Sequence, residues 1–128
     1  MSEPRPRLAA AGVGVTDLER SVDFYTRIFS MRVLMRLPLP DMDEVILGFK
    51  GQATALVLMQ HHDASGHDYA ATGGKLAFYV TDPSAVAEAI RAEGLEIVRE
   101  PTPVPELGDA VVGFARDPDG HLLELLQA

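Results

Sequence analysis

The 128-residue chain contains no cysteine. Disulfide bonds, thiolate metal ligands and cysteine nucleophiles are therefore excluded, although this absence does not fix the cellular compartment. Basic residues are also few, since 11 lysines and arginines stand against 19 aspartates and glutamates, a formal charge of −8. Because such a chain repels a phosphate backbone or an anionic bilayer, we expect neither nucleic acid nor a membrane as a partner.

Long hydrophobic runs are missing as well. No apolar run approaches the roughly 20 residues of a membrane-spanning helix, and the apolar start at residues 8–15 is broken by the polar run from Thr16 to Arg20. This start lacks the form of a signal peptide, so we expect a cytoplasmic protein. At this length, one domain is expected, because a second independent core could hardly be buried.

Hydrophobic periodicity predicts one strand, one helix and three strands, in that order, twice. Asp17 and Asp82 are the predicted helix caps, Pro83 follows the second cap, and Gly94 is the predicted stop of the second helix. The first helix is predicted to run to about Phe29. The predicted strands cover residues 8–15, 31–36, 44–49, 54–60, 75–80, 96–99, 110–115 and 121–126.

The two halves also share identical residues at a constant offset of 65 positions. A polar connector, residues 61–74, separates them. The repeated pairs are Val15-Thr16-Asp17 with Val80-Thr81-Asp82, Val33 with Val98, and Gly48-Phe49 with Gly113-Phe114. A duplicated βαβββ module is therefore predicted, with module one at about 8–60 and module two at 75–127.

Two stretches resemble the vicinal-oxygen-chelate superfamily, which includes glyoxalases, bleomycin-resistance proteins and dioxygenases. They are VGVTDLERSVDFYTRIFSM at residues 13–31 and FARDPDGHLLELL at residues 114–126. The resemblance covers nearly the whole chain. It implies a single α+β domain in which two βαβββ modules form curled mixed sheets around a pocket for a small molecule. It also implies a homodimer, since relatives commonly complete their pockets across a symmetric interface.

The same resemblance implies where a metal would be held. Metal-dependent members take ligands from the first and last strands of each module, positions that fall here at Ala10, Leu58, Lys75 and Glu124. Only Glu124 offers an oxygen ligand, because Ala10 and Leu58 carry no donor atom and the Lys75 ammonium repels a divalent cation. We therefore expect no metal and no other cofactor, and a Lys75–Glu124 ion pair in place of the cation.

Strand alternation suggests further residues for a ligand site. Leu56, Leu58 and Gln60 share one face of their strand, and Tyr79 shares the face of Lys75. We expect these four to line the pocket. Arg36 and Arg116 are the cations best placed in sequence for an anionic ligand, although a lone arginine is usually solvated.

Histidines cluster in the connector at positions 61, 62 and 67, with Asp63 between them. The spacing matches no metal motif, and adjacent side chains of an extended segment point apart. A solvated loop is the preferred interpretation of this cluster.

Three functions remain open from the sequence. The leading prediction is metal-independent binding of a small, largely apolar molecule, of the sequestration or resistance type. The first alternative is a glyoxalase-like lyase or isomerase with Glu124 as general base and Lys75 as the stabiliser of an enolate. The second alternative is a dimerisation or regulatory module without ligand.

Overall fold

The structure, a computed structural model, describes residues 5–63 and 66–128. The chain divides into two compact units, a first module that ends at Ser65 and a second that begins at Gly66. The elements in chain order are β1 (Ala10–Gly14), α1 (Leu18–Ile28), β2 (Arg32–Pro38), β3 (Met42–Gly48), β4 (Ala55–His61), β5 (Lys75–Val80), α2 (Pro83–Ala92), β6 (Ile97–Val104), β7 (Ala110–Arg116) and β8 (Leu122–Gln127). The predicted α+β architecture of two βαβββ modules is confirmed.

Each module contains one four-stranded mixed sheet with the same topology. The strand order is β1-β4-β3-β2 in the first sheet and β5-β8-β7-β6 in the second. The first and last strands of each module pair in parallel, β1 with β4 and β5 with β8. The remaining pairs are antiparallel. The first strand of each module therefore lies at a sheet edge, beside the last.

Both helices begin at the predicted aspartate caps. A carboxylate oxygen of Asp17 accepts the N–H of Arg20, and one of Asp82 accepts the N–H of Ala85, with Pro83 at the first helical turn. These contacts satisfy N–H groups that a helix start otherwise leaves without a partner. Neither α1 nor α2, the two α-helices of the described residues, has an apolar stretch of the length that spans a bilayer.

One face of each sheet is covered by the helix of the same module. In the first module, α1 packs on β2, β3 and β4, and in the second, α2 packs on β6, β7 and β8. The buried side chains on these covered faces, with those of the helices, form the two cores: Val22, Tyr25, Val45, Leu47, Leu56 and Leu58 in the first, and Phe78, Ala87, Ile90, Ala115, Leu123 and Leu125 in the second. Because side chains alternate along a strand, the intervening residues lie on the opposite face, which we call the open face.

Two glycines at the repeat offset allow a close approach within each sheet. A Cβ on Gly48 would stand 2.7 Å from a methyl of Leu34, and one on Gly113 would stand 2.8 Å from the ring of Pro101. Both neighbours lie on strands β2 and β6 where the register shifts. In each module, the glycine therefore leaves room for the side chain that crosses over it where the register of the edge strand shifts.

Strand β6 is longer than predicted. It extends to Val104, whereas the sequence pattern supported only residues 96–99 because Pro101 and Pro103 follow. β6 lies at the edge of its sheet, where a proline can replace a residue whose N–H faces solvent.

Candidate functional site

The open face of the second module carries an ion pair between Lys75 and Glu124. The Lys75 Nζ atom lies 2.6 Å from Glu124 Oε1. In the parallel pair of β5 and β8, Lys75 is in register with Leu122, and Ala77 is in register with Glu124. The two charged side chains are thus diagonal neighbours on one face, a separation that a lysine can bridge.

The Glu124 carboxylate lies among apolar groups. Its cross-strand neighbours are Ala77 on β5 and Phe114 on β7, and Leu122 and Leu126 flank it on the same face of β8. Its side chain is 11% exposed, whereas that of Lys75 is 52% exposed. The Lys75 ammonium also stands 5.8 Å from the centre of the Phe114 ring, within the range of a cation–π contact.

This arrangement leaves donors and an acceptor available to a bound molecule. Among residues 5–63 and 66–128, the structure records no partner for the Glu124 carboxylate besides Lys75. A carboxylate accepts through two oxygens and an ammonium donates three hydrogens, so Oε2 and two N–H groups remain available. In such a pair, the carboxylate can act as a base that removes a proton from a carbon. The positive charge beside it can stabilise the negative oxygen that results.

The register corrects the position that corresponds to Glu124 in the first module. Ala10 pairs with Ala55 on β4 as Lys75 pairs with Leu122 on β8. Two residues further along, Val57 therefore corresponds to Glu124, and not Leu58 as predicted from sequence. Neither residue carries a metal-binding atom, so the correction does not change the chemistry at this position.

The residues at the four family metal positions do not fit a divalent cation. Ala10 and Val57 offer only hydrocarbon, and Lys75 places a positive charge against the one carboxylate, Glu124. Within the described ranges, no group of three or more His, Asp or Glu side chains could hold a metal ion. A cation at Glu124 would have to displace the ammonium, so no catalytic step is derived through a metal.

Three residues predicted to line the pocket lie on the covered face of the first module. Leu56 and Leu58 belong to the core under α1, where Leu58 has no exposed surface. The side-chain oxygen of Gln60 accepts the N–H of Leu18 at 2.8 Å and so holds the start of α1. Their role in ligand binding stays a prediction. The burial of Leu56 and Leu58 under α1 argues against it, because a buried side chain cannot contact a ligand on the open face.

The other two residues predicted to bind a ligand, Tyr79 and Arg36, lie in different modules. Tyr79 is on the same open face as Lys75 and is 78% exposed. Arg36 pairs with Glu19 at 2.5 Å and lines a shallow cavity of about 290 Å³ in the first module. Arg36 thus already forms an ion pair with Glu19, whereas Tyr79 lies on the same face of the sheet as the Lys75–Glu124 pair.

The connector histidines have separate partners. His62 Nε2 lies 3.2 Å from Asp43 Oδ1, and its Nδ1 lies 3.0 Å from the Pro40 carbonyl oxygen. His67 stacks on Tyr69, with ring centres 5.5 Å apart. His62 and His67 thus make separate contacts, and the sequence-based preference for a solvated loop over a metal site stays a prediction.

Two βαβββ modules, each with a mixed sheet that is covered on one face by its helix, define the vicinal-oxygen-chelate class of fold. The sequence of residues 7–125 matches the Glyoxalase/Bleomycin resistance protein/Dioxygenase superfamily. The chain belongs to this superfamily.

Several known proteins are similar to the chain over most of its length. A lactoylglutathione lyase from Neisseria meningitidis is 32% identical over 94% of the chain and 90% of its own length. The lactoylglutathione lyase of Arabidopsis thaliana is 35% identical over 88% of the chain and 41% of its own length. The crystal structure of glyoxalase I from Zea mays superposes with a TM-score of 0.81 at 35% identity, over 95% of the chain and 44% of that protein. The chain spans about two fifths of the length of the plant relatives.

These relatives contradict the leading prediction from the sequence, a metal-independent binding protein of the sequestration type. Relatives at 31–37% identity bear the name lactoylglutathione lyase, and the bleomycin-resistance likeness extends only to the superfamily. The prediction was wrong because it inferred the absence of catalysis from the absence of metal ligands. The first alternative, a glyoxalase-like enzyme, agrees better with the relatives.

Proposed function

We propose that this chain is a glyoxalase-type lyase or isomerase that acts on the adduct of a thiol with a small carbonyl compound. The observation that carries the proposal is the Glu124 carboxylate, held by Lys75 at 2.6 Å on an otherwise largely apolar face. The lactoylglutathione lyases among the relatives suggest the adduct of glutathione with methylglyoxal as the substrate to test.

Glu124 is the general base in this proposal. Its Oε2 removes a proton from the carbon that bears the hydroxyl and the sulfur, and the electron pair of that C–H bond enters the adjacent carbonyl group. The carboxyl group exchanges this proton with solvent and then delivers a proton to the neighbouring carbon. The hydroxyl proton of the first carbon passes to the oxygen of the former carbonyl group, so that a 2-hydroxy thioester forms. The reaction is an isomerisation, so no external oxidant or reductant is needed.

Lys75 acts on the negative oxygen that forms when the proton leaves. Its ammonium remains paired with Glu124 through one donor, and its other donors can bind the enediolate oxygens. A positive charge that is already in place stabilises this intermediate without reorganisation of solvent. Lys75 thus supplies the electrostatic stabilisation, and Glu124 moves the proton.

The test is turnover of the methylglyoxal–glutathione adduct by protein that has been treated with a chelator. Glu124→Gln keeps the shape of the side chain but removes the base, so kcat should fall by about 10²- to 10⁴-fold. Glu106→Gln, at an exposed position of the same module, should retain the wild-type rate. An equal rate in Glu124→Gln and wild type, or wild-type turnover only after a metal is added, contradicts the proposal.

A homodimer and a cytoplasmic location accompany this proposal as expectations from the family. Sedimentation equilibrium tests the dimer, and a mass of one chain across the micromolar range contradicts it.

A further inference from the structure

A cavity of about 280 Å³ lies in the second module. It is lined by the residues that lead into β5, by the end of β7 and by the start of β8: Ala70, Ala71, Thr72, Gly73, Gly74, Arg116 and Leu122. Since β7 and β8 also carry Phe114 and Glu124, the cavity adjoins the sheet that holds the proposed base. No step of the proposed reaction uses it.

The loop in this cavity presents consecutive backbone donors. Thr72 is right-handed, with φ −73° and ψ −19°, and Gly73 follows with φ +76°. This alternation turns successive N–H groups toward one side and forms a concave nest that binds anions in many proteins. Within the described ranges, the structure records no hydrogen bond from the N–H groups of Thr72, Gly73 and Gly74.

Arg116 brings a positive charge to the same cavity. Its Nη1 donates to the Gly120 carbonyl oxygen at 3.1 Å, which anchors the guanidinium at the turn before β8. The structure records no carboxylate partner for Arg116 among the residues that it describes. Because a guanidinium carries five N–H donors, most of them remain available to a planar or tetrahedral oxyanion.

We propose that the N–H groups of residues 72–74 and the guanidinium of Arg116 form a subsite for an oxyanion group of the substrate, a carboxylate or a phosphate. The chemistry favours an anion, since all of the free polar groups named here are donors and one is charged. In a chain of net charge −8, such a local site is needed to hold a negative group.

The register relates this subsite to the proposed base. Arg116 pairs with Leu122 on β8, two residues before Glu124. Diagonal neighbours of this kind lie about 7 to 8 Å apart. This inference rests on the proposed function. The subsite therefore selects substrates in which an anionic group lies within about 7 to 8 Å of the reacting carbon.

The binding claim is tested without catalysis by amide NMR. Inorganic phosphate and acetate are titrated at constant ionic strength, and the Gly73 and Gly74 amide signals should shift and saturate. Arg116→Gln should weaken phosphate binding about tenfold or more, since it removes the charged, bidentate donor. Arg32→Gln removes the same charge from β2 of the first module and should leave the titration unchanged.

A second pair of variants tests the backbone nest. Gly73→Asn can keep a positive φ and should retain phosphate binding, whereas Gly73→Val cannot adopt it easily and should lose binding. Far-UV circular dichroism confirms that both are folded, as expected for an exposed loop glycine with open space around it. Shifts without saturation, or equal binding by Arg116→Gln and wild type, overturn the subsite.

The last experiment decides whether the substrate supplies the oxyanion. Phosphate should inhibit turnover of the methylglyoxal–glutathione adduct competitively, and Arg116→Gln should raise KM about tenfold or more with little change in kcat. Non-competitive inhibition identifies a separate anion and overturns the assignment to the substrate. If the chain has no turnover but the amides still saturate with phosphate, the proposed function fails while the oxyanion site stands.

Discussion

Lys75 lies two residues out of register with Glu124 across the parallel strands β5 and β8, and its Nζ atom contacts Glu124 Oε1 at 2.6 Å. The lysine therefore reaches along the sheet to neutralise a carboxylate that is nearly buried, while half of its own side chain remains in solvent. Stability and the proposed chemistry both depend on this contact.

Lys75→Met should destabilise the protein by about 1 to 3 kcal/mol, a range between those of exposed and buried ion pairs. The loss is expected because Glu124 keeps its apolar neighbours but no longer has a counter-charge. Glu124→Leu in the same chain should restore much of this stability, since no lone charge remains. Urea unfolding of both single variants and the double variant measures the coupling.

Lys50→Met is the matched control, because Lys50 is exposed at a turn of the first module. It should change the free energy of unfolding by less than about 0.5 kcal/mol. Additive effects near zero for Lys75→Met and Glu124→Leu would show that both groups behave as if solvated.

The sheet register predicts losses of stability of different size at two adjacent positions of β4. Leu58→Ala should destabilise by about 2 to 5 kcal/mol, because Leu58 has no exposed surface in the core under α1. Val57→Ala, on the open face, should cost less than about 1 kcal/mol in the isolated chain. Thermal or urea unfolding checks both, and a larger effect at Val57 would reverse the assignment of the two faces.

The sequence predicted the repeat, the helix caps and the Lys75–Glu124 contact because each depends on local patterning or on a strong resemblance. It assigned Leu58 to the pocket because alternation along a strand shows which residues share a face but not which face the helix covers. The pairing of Ala10 with Ala55 decides the register, and such a contact between distant residues has no local signal. The sequence placed Gly73 and Gly74 in the polar connector, but their relation to Arg116 required the fold.

Tyr69 gives a pH-dependent test of the connector. Burial, followed by the negative charge of Asp119, raises the pKa of Tyr69 above its ordinary value of 10.0. The folded protein therefore holds this proton more tightly than the unfolded chain. The resulting stabilisation is fully present below about pH 10 and is lost as pH rises through the folded pKa.

Near-ultraviolet titration of wild type and Tyr69→Phe isolates this phenol, with Tyr79→Phe as the control for loss of an exposed tyrosine. Asp119→Asn should move the Tyr69 pKa downward, since it removes one of the two causes of the shift. A Tyr69 titration curve that coincides with that of free tyrosine contradicts this account of the connector.

The donor set at the family metal positions predicts protein without a bound metal. Elemental analysis of purified protein should find less than about 0.1 equivalent of zinc, nickel, iron or manganese, because a catalytic site usually takes at least three protein ligands. Added Zn²⁺ should leave the melting temperature unchanged. One full equivalent of a metal, whose removal by a chelator lowers stability, would contradict the ion-pair account.

The central claim is that Glu124 transfers a proton at a carbon beside a carbonyl group, and incorporation of solvent deuterium tests it most directly. Chelator-treated protein is mixed in D₂O with the methylglyoxal–glutathione adduct, and deuterium at the product carbon is followed by NMR. Wild type should place deuterium at that carbon, and Glu124→Gln should slow its appearance by about 10²- to 10⁴-fold. Incorporation at the same rate in wild type and Glu124→Gln would contradict the claim that this carboxylate moves the proton.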